Sequence, residues 1–191
     1  MSGKAWRRLW HLGGGAFLPI LAFYLPLGKL LIVVYALASV SLAVEAFRLL
    51  IPKMNRWLLR WLDSVFKEKE RAKLTGASYL LFATIIVFLV FDKEIAILSL
   101  LFLALGDPVA ATFGEKFGKR KVWGKSLEGT LAGFLACVIL GLLLVNSAIP
   151  FSQPAVIAGA ASAAIVELLP LSLDDNLTIP LASATIMALI S

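Results

Sequence analysis

The residues with the chemistry are concentrated between 105 and 130, LGDPVAATFGEKFGKRKVWGKSLEGT. Asp107 stands between Gly106 and Pro108 inside an otherwise apolar run. A carboxylate in that setting is expensive to desolvate and marks a functional position by default. The Gly-Asp-Pro sequence predicts a kink or break in the helix there, which would free carbonyls beside the acid. Lys116, Lys119, Arg120, Lys121 and Lys125 follow, mixed with Gly114, Gly118, Gly124 and Gly129. Glycines let backbone N–H groups close on an anion and lysines supply point charges, so this run is expected to hold phosphate. A merely basic loop would account for the lysines but not for the glycines or the acids beside them. Gly124-Lys125-Ser126 resembles the end of a P-loop, yet the five residues between Gly118 and Gly124 are one too many, and no strand is expected before them. Ser126 is expected to cap the next helix. Glu128 falls in that helix's first turn, where it either complements the dipole or serves as a general base.

A second acidic group lies toward the C-terminus. Glu167 ends an apolar run, and Asp174, Asp175 and Asn176 follow in a short loop. Oxygen ligands of this kind suit Mg²⁺, a hard ion that keeps several of its waters. Capping of the next helix by Asp175 or Asn176 is the plainer alternative, though it needs only one of them. Other polar residues read more simply. Glu45 and Arg48 are expected near an interface and paired. Glu115 fits an interfacial acid as well as a functional one. His11 has no second histidine with which to bind a metal, and Cys137, the one cysteine, packs as a small residue and allows no internal disulfide.

The elements that must position these groups are membrane helices. Of 191 residues 60% are hydrophobic and only 16% charged, mean hydropathy is +0.92, and apolar runs long enough to span a bilayer recur. The expected fold is an all-α bundle in one domain, residues 1–191, with no signal peptide. Spans are predicted over 12–27, 30–51, 74–91, from Glu94 into the central stretch, 128–148, 153–169 and 177–190. Residues 53–73 alternate apolar Met54, Trp57, Leu58, Trp61, Leu62, Val65 and Phe66 with Lys53, Arg56, Arg60, Asp63 and Lys67 at helical period, which predicts a helix lying in the headgroup plane. With seven spans and a cytoplasmic N-terminus, 16 of the 18 Lys and Arg fall on the cytoplasmic side and only Lys29 and Lys93 outside. Trp6, Trp10, Trp57, Trp61 and Trp123 fall on that same side. This distribution explains the net charge of +6 without invoking nucleic acid. Gly106, Ala110 and Gly114, and again Gly129, Gly133, Cys137 and Gly141, repeat every four residues, so close helix packing is expected.

A basic lead, an intramembrane acid, a Gly/Lys loop and an acidic loop thus converge on one face. Together they predict phosphoryl or nucleotidyl transfer to a lipid. The rival of another class, a small transporter, would need charges along a path across the bilayer, and the outer half has almost none.

The run Gly106-Asp107-Pro108-Val109-Ala110-Ala111, Gly114, Phe117-Gly118-Lys119 and Lys125-Ser126-Leu127-Glu128-Gly129 resembles the dolichol kinase, phytol kinase and CTP-dependent diacylglycerol kinase family. Glu167 with Asp175-Asn176-Leu177-Thr178-Ile179-Pro180 is similar to that family's C-terminal motif, and Arg7-Arg8 with His11 to its Arg-Lys and His lead, Arg8 standing in place of Lys. The resemblance implies an enzyme that uses CTP and Mg²⁺ to phosphorylate a lipid alcohol, a dolichol-type polyprenol being favoured over diacylglycerol or phytol. Arg7, Arg8, Gly114, Lys116, Gly118, Lys125, Ser126, Gly129 and Asn176 would bind nucleotide. Asp107, Asp175 and Glu167 would hold Mg²⁺, and Asp107 or Glu128 would be the base. The central stretch is also similar to phosphatidate cytidylyltransferases, but their Lys-Asp, Asp-Arg and Pro-Gly-His-Gly-Gly signatures are absent.

Overall fold

The computed structural model describes residues 3–62 and 73–191, apart from the side chains of 3–7, 10, 58, 59, 61 and 62. In chain order the elements are α1 (Gly3–Tyr24), α2 (Leu27–Leu50), α3 (Pro52–Leu62), α4 (Gly76–Val90), α5 (Lys93–Phe117), strands β1 (Lys121–Val122) and β2 (Lys125–Ser126), α6 (Leu127–Ser147), α7 (Gln153–Leu168) and α8 (Asp175–Ile190). Among the described residues α2, α5 and α6 are long and apolar enough to cross a membrane; the segments His11–Tyr24, Gly76–Val90, Gln153–Leu168 and Asp175–Ile190 are apolar but shorter.

Helix α5 is the centre. Every position from Ile95 to Ala104 is buried, because α1, α4, α6, α7 and α8 all pack on it. An all-round apolar helix can only be satisfied in this way or by lipid. Outer helices keep large apolar side chains outward, among them Ile32, Val40, Leu131, Ile139 and Leu143. The two small-residue ladders face each other: a Cβ on Gly106 would sit 2.9 Å from Cys137 Sγ, one on Gly133 2.9 Å from Gly106 O, and one on Gly129 against Ala110 O. That contact brings α5 and α6 backbone to backbone.

Two ends of the bundle can be told apart. At one end the Lys93 ammonium donates to Leu25 O at 3.2 Å, joining the α4–α5 and α1–α2 turns. At the other, α1 and α6 begin, α5 and α7 finish, and α8 begins; the site lies there. Glu45 and Arg48 are paired as expected, and both are buried. Arg48 also reaches Asn55 Oδ1 at 3.3 Å and Lys73 O at 2.6 Å, while Glu45 accepts from Thr75 N at 2.9 Å. One buried pair therefore pins both ends of the excursion between α2 and α4.

Several expectations need correction. The basic lead is not separate from the first span, since α1 runs unbroken from Gly3 through Gly13-Gly14-Gly15 and Pro19. No break occurs at Asp107-Pro108: α5 continues to Phe117 with Pro108 inside it. An interior proline costs about 3 kcal/mol, and burial of α5 on all sides outweighs that. Pro180 lies in the second turn of α8, not the first, because Asp174 caps the helix earlier than expected. The loop after α5 contains a hairpin, Lys121 opposite Ser126 and Val122 opposite Lys125. Its strands are too short to leave a periodic signal. Of the amphipathic 53–73 segment, α3 accounts for the first part; residues 63–72, including Asp63, Val65, Phe66 and Lys67, lie outside the described residues.

Candidate active site

At the end of the bundle where α5 finishes and α6 starts, an open cavity of about 570 Å³ reaches in between the helices. Its size suits a nucleotide-sized ligand. Arg8, Asp107, Gly114, Gly118, Lys125, Ser126, Glu167 and Asp175, all expected from the sequence, line it. They come from five separate parts of the chain, and the fold alone brings them together.

Each acid in the cavity faces a basic side chain. Arg8 Nη2 lies 2.7 Å from Glu115 Oε2 and donates to Ala111 O at 3.4 Å, tying the start of α1 to the end of α5. His11, one turn on, places Nε2 3.4 Å from Asp107 Oδ2. Lys125 Nζ lies 3.1 Å from Glu167 Oε1 and 3.5 Å from Asp175 Oδ2, and donates to the Glu167 carbonyl. Thr130 Oγ1 is 3.4 Å from the other Glu167 oxygen. One lysine thus bridges the end of α7 and the start of α8 from β2. Asp107 sits ten residues before the last residue of α5, about 15 Å down the helix at its 1.5 Å rise per residue. The cavity therefore carries polar groups below the level at which the helices end.

Oxygen donors of this set suit Mg²⁺. Among the described residues, however, no three His, Cys, Asp or Glu close on a single point, so Asp107, Glu167 and Asp175 are not a ready-made metal cage. Mg²⁺ is commonly held by one or two carboxylates together with substrate phosphates and water. Glu167 and Asp175, which already share a cation, fit that mode.

Four expected positions lie outside the cavity lining. Glu128 turns outward: its carboxylate accepts from Lys119 N at 3.1 Å and Arg120 N at 3.2 Å. Lys116 lies 5.7 Å above the Phe117 ring. Asn176 is buried, its Nδ2 donating to Asp174 Oδ1 at 2.6 Å. Gly129 packs against α5. The Arg7 side chain lies outside the described residues. The glycines of this region also have a packing role. A Cβ on Gly114 would sit 2.9 Å from Ser126 Oγ, and one on Gly118 would overlap Gly114 O. These two let the loop lie flat on α5. Only Gly124, with φ +86°, needs the freedom of glycine for its backbone angle. Ser126 caps α6 as expected, accepting from Gly129 N at 2.9 Å. Asp174, neither Asp175 nor Asn176, caps α8, accepting from Asn176 N at 3.1 Å.

Thr130 lines the cavity although the sequence did not single it out; Lys121 and His11, which line it too, entered only as one cation of the basic run and as the histidine of the N-terminal lead. For His11 a signal existed. Arg8, His11, Gly15, Leu18 and Ala22 share one helical face, and the last three are buried. A histidine on the packing face of α1 points into the bundle, not toward lipid.

Comparison with known proteins finds lipid kinases. The chain is 33% identical over 154 residues to a CTP-dependent diacylglycerol kinase 1 of Schizosaccharomyces pombe, covering 73% of this chain and 71% of the yeast protein. It is 27% identical over 168 residues to the protein of the same name in Saccharomyces cerevisiae, covering 75% and 58%. With a probable chloroplastic phytol kinase 1 of Glycine max it shares 30% identity over 189 residues, covering 83% and 62%. No family model matches the chain, and no solved structure matches it.

Proposed function

The chain belongs to the lipid kinase family of the CTP-dependent diacylglycerol kinases and phytol kinases, and from that premise we propose that it transfers the γ-phosphate of CTP to a long-chain lipid alcohol at the cytoplasmic face of a membrane. The observation that carries the reading is the cavity, where Asp107, Glu167 and Asp175 meet Arg8, Lys121 and Lys125 at one end of an apolar bundle. Cations there suit a triphosphate, and acids suit a metal and a proton.

In this reading the reaction needs positioning and charge more than covalent help from the protein. The acceptor hydroxyl attacks Pγ, the bond from Pγ to the β–γ bridging oxygen breaks, and CDP leaves. The hydroxyl proton passes to Asp107, which stands ten residues before the last residue of α5. His11, 3.4 Å from Asp107 Oδ2, holds that carboxylate in place. Glu167 and Asp175 would hold Mg²⁺, which neutralises phosphate charge when bound. Arg8 and Lys125 exchange their carboxylate partners for phosphate oxygens. Glu128 has its carboxylate on two loop amides and takes no part in proton transfer.

The acceptor is defined by what the relatives' names share, a long apolar chain ending in a hydroxyl. Diacylglycerol and phytol both meet that description, and so does a dolichol-type polyprenol. Seven spans with a cytoplasmic N-terminus complete the proposal, supported by the 16-to-2 division of Lys and Arg.

The test uses the purified full chain in detergent with Mg²⁺, a lipid panel and CTP labelled at either the γ or the α phosphate. Label reaching lipid from the γ position is the expected result. Transfer from the α position would make the protein a cytidylyltransferase. Absence of transfer across the panel would overturn the enzyme reading and favour a transporter.

A further inference from the structure

We propose that Lys121 captures the terminal phosphates of the nucleotide and that Glu128 is the positioning residue that holds its hairpin over the cavity. The identity of the ligand rests on the kinase reading above; the roles of the residues rest on geometry. Arg8 and Lys125 line the cavity but are already engaged, Arg8 by Glu115 and Lys125 by Glu167 and Asp175. Lys121 lines the same cavity, and among the described residues it makes no ion pair. An arriving oligophosphate meets uncompensated positive charge at Lys121, whereas the other two cations must first give up a carboxylate.

The hairpin that carries Lys121 is weak by itself. Its strands have two residues each, and a free two-stranded hairpin is marginal in water even with longer strands. Its turn residues, Trp123 and Gly124, both have positive φ, 50° and 86°. A two-residue turn of that form favours Asn or Gly at its first position, and a bulky indole is poorly suited to it. Outside support is therefore needed, and Glu128 supplies it. Its carboxylate binds the amides of Lys119 and Arg120, the two residues before Lys121, and does not itself line the cavity.

A kinetic split separates this role from that of a base. Lys121→Met is expected to raise KM for CTP about tenfold, the scale of one lost charge-assisted phosphate contact, with kcat nearly unchanged. Glu128→Ala is expected to do the same. Glu128→Gln keeps an acceptor oxygen and should recover most of the affinity. A catalytic base would lose kcat by about 10²–10⁴ in both Glu128 variants alike. The double variant Lys121→Met/Glu128→Ala should bind no more weakly than Lys121→Met alone, because both act through one contact.

Calorimetric binding of inorganic tripolyphosphate to the full chain in detergent reads the same roles without lipid or turnover. Affinity should fall about tenfold for Lys121→Met and Glu128→Ala, and stay unchanged for Lys29→Met, in the first turn of α2 and outside the cavity lining. Wild-type tripolyphosphate affinity in Lys121→Met would overturn the capture role. A kcat loss at constant KM, shared by both Glu128 variants, would return Glu128 to the chemistry. Should Glu128→Ala fail to fold, Glu128→Gln and Lys121→Met decide the matter. Lys121-dependent tripolyphosphate binding without any transfer from CTP would remove the kinase reading and leave the phosphate site standing.

Discussion

Asp107 and Glu128 began as equals, two acids at either end of a basic, glycine-rich run, and the fold separates them. Asp107 lines the cavity beside His11, and Glu128 faces away with two backbone amides on its oxygens. Asp107→Asn preserves shape and loses the proton acceptor. Lipid phosphorylation should fall at least about 10³-fold, within the range general-base loss produces, while the melting temperature in detergent stays within a few degrees. Turnover near wild type would remove Asp107 from the mechanism. Residue types announced Asp107, Lys125, Glu167 and Asp175, because an acid in an apolar run and a lysine among glycines are chemically conspicuous. His11 and Lys121 were harder to read. Each entered only as one member of a larger motif, and its role depends on which neighbour it meets across the bundle.

At the scale of the element, the α5–α6 contact decides the site's shape, because it sets how close Asp107 comes to Lys125 and Thr130. Gly133 is a close point of that contact deep in the bundle, where a Cβ would lie 2.9 Å from the Gly106 carbonyl and 3.1 Å from Ala110 Cβ. Backbone cannot yield as a flexible side chain can. Gly133→Ala should therefore destabilise the bundle by about 1–3 kcal/mol, the usual cost of overpacking. Gly13→Ala makes the contrast, since nothing lies within 4 Å of a Cβ there. It should stabilise α1 by about 0.5–1 kcal/mol. Chemical denaturation of both variants in the same detergent measures the difference, and equal midpoints would refute the close-contact account. The ladders were visible in sequence as four-residue spacing. That they face one another, and that Gly114 and Gly118 also pack closely against the loop, was not, because spacing gives a helix face but not its partner.

For the whole molecule the testable quantity is sidedness. Single cysteines in the hairpin turn at Trp123 and in the 170–174 loop should react with an impermeant maleimide from the cytoplasmic side. A cysteine at Lys29 should react only from the other. The background is Cys137→Ala, which removes the one native thiol, itself buried. Labelling of the hairpin and the 170–174 loop from opposite sides would sink the shared cavity. Contacts within the molecule already favour the expected outcome, since Lys125 joins β2, α7 and α8 at one end and Lys93 joins two turns at the other.

The sequence by itself determined the class of molecule: an all-helical membrane domain, with small-residue helix contacts and carboxylates and lysines suited to phosphate chemistry. Those properties follow from composition and period, which are local and additive. Tertiary structure decided which acid faces the cavity, which lysine is left uncompensated, that α5 runs through its proline and that the basic lead is the first two turns of α1. Each of these depends on a contact between residues distant in the chain. Desolvation by surrounding helices, hydrogen bonding across a hairpin and pairing of opposite charges act only once the fold has brought the partners together.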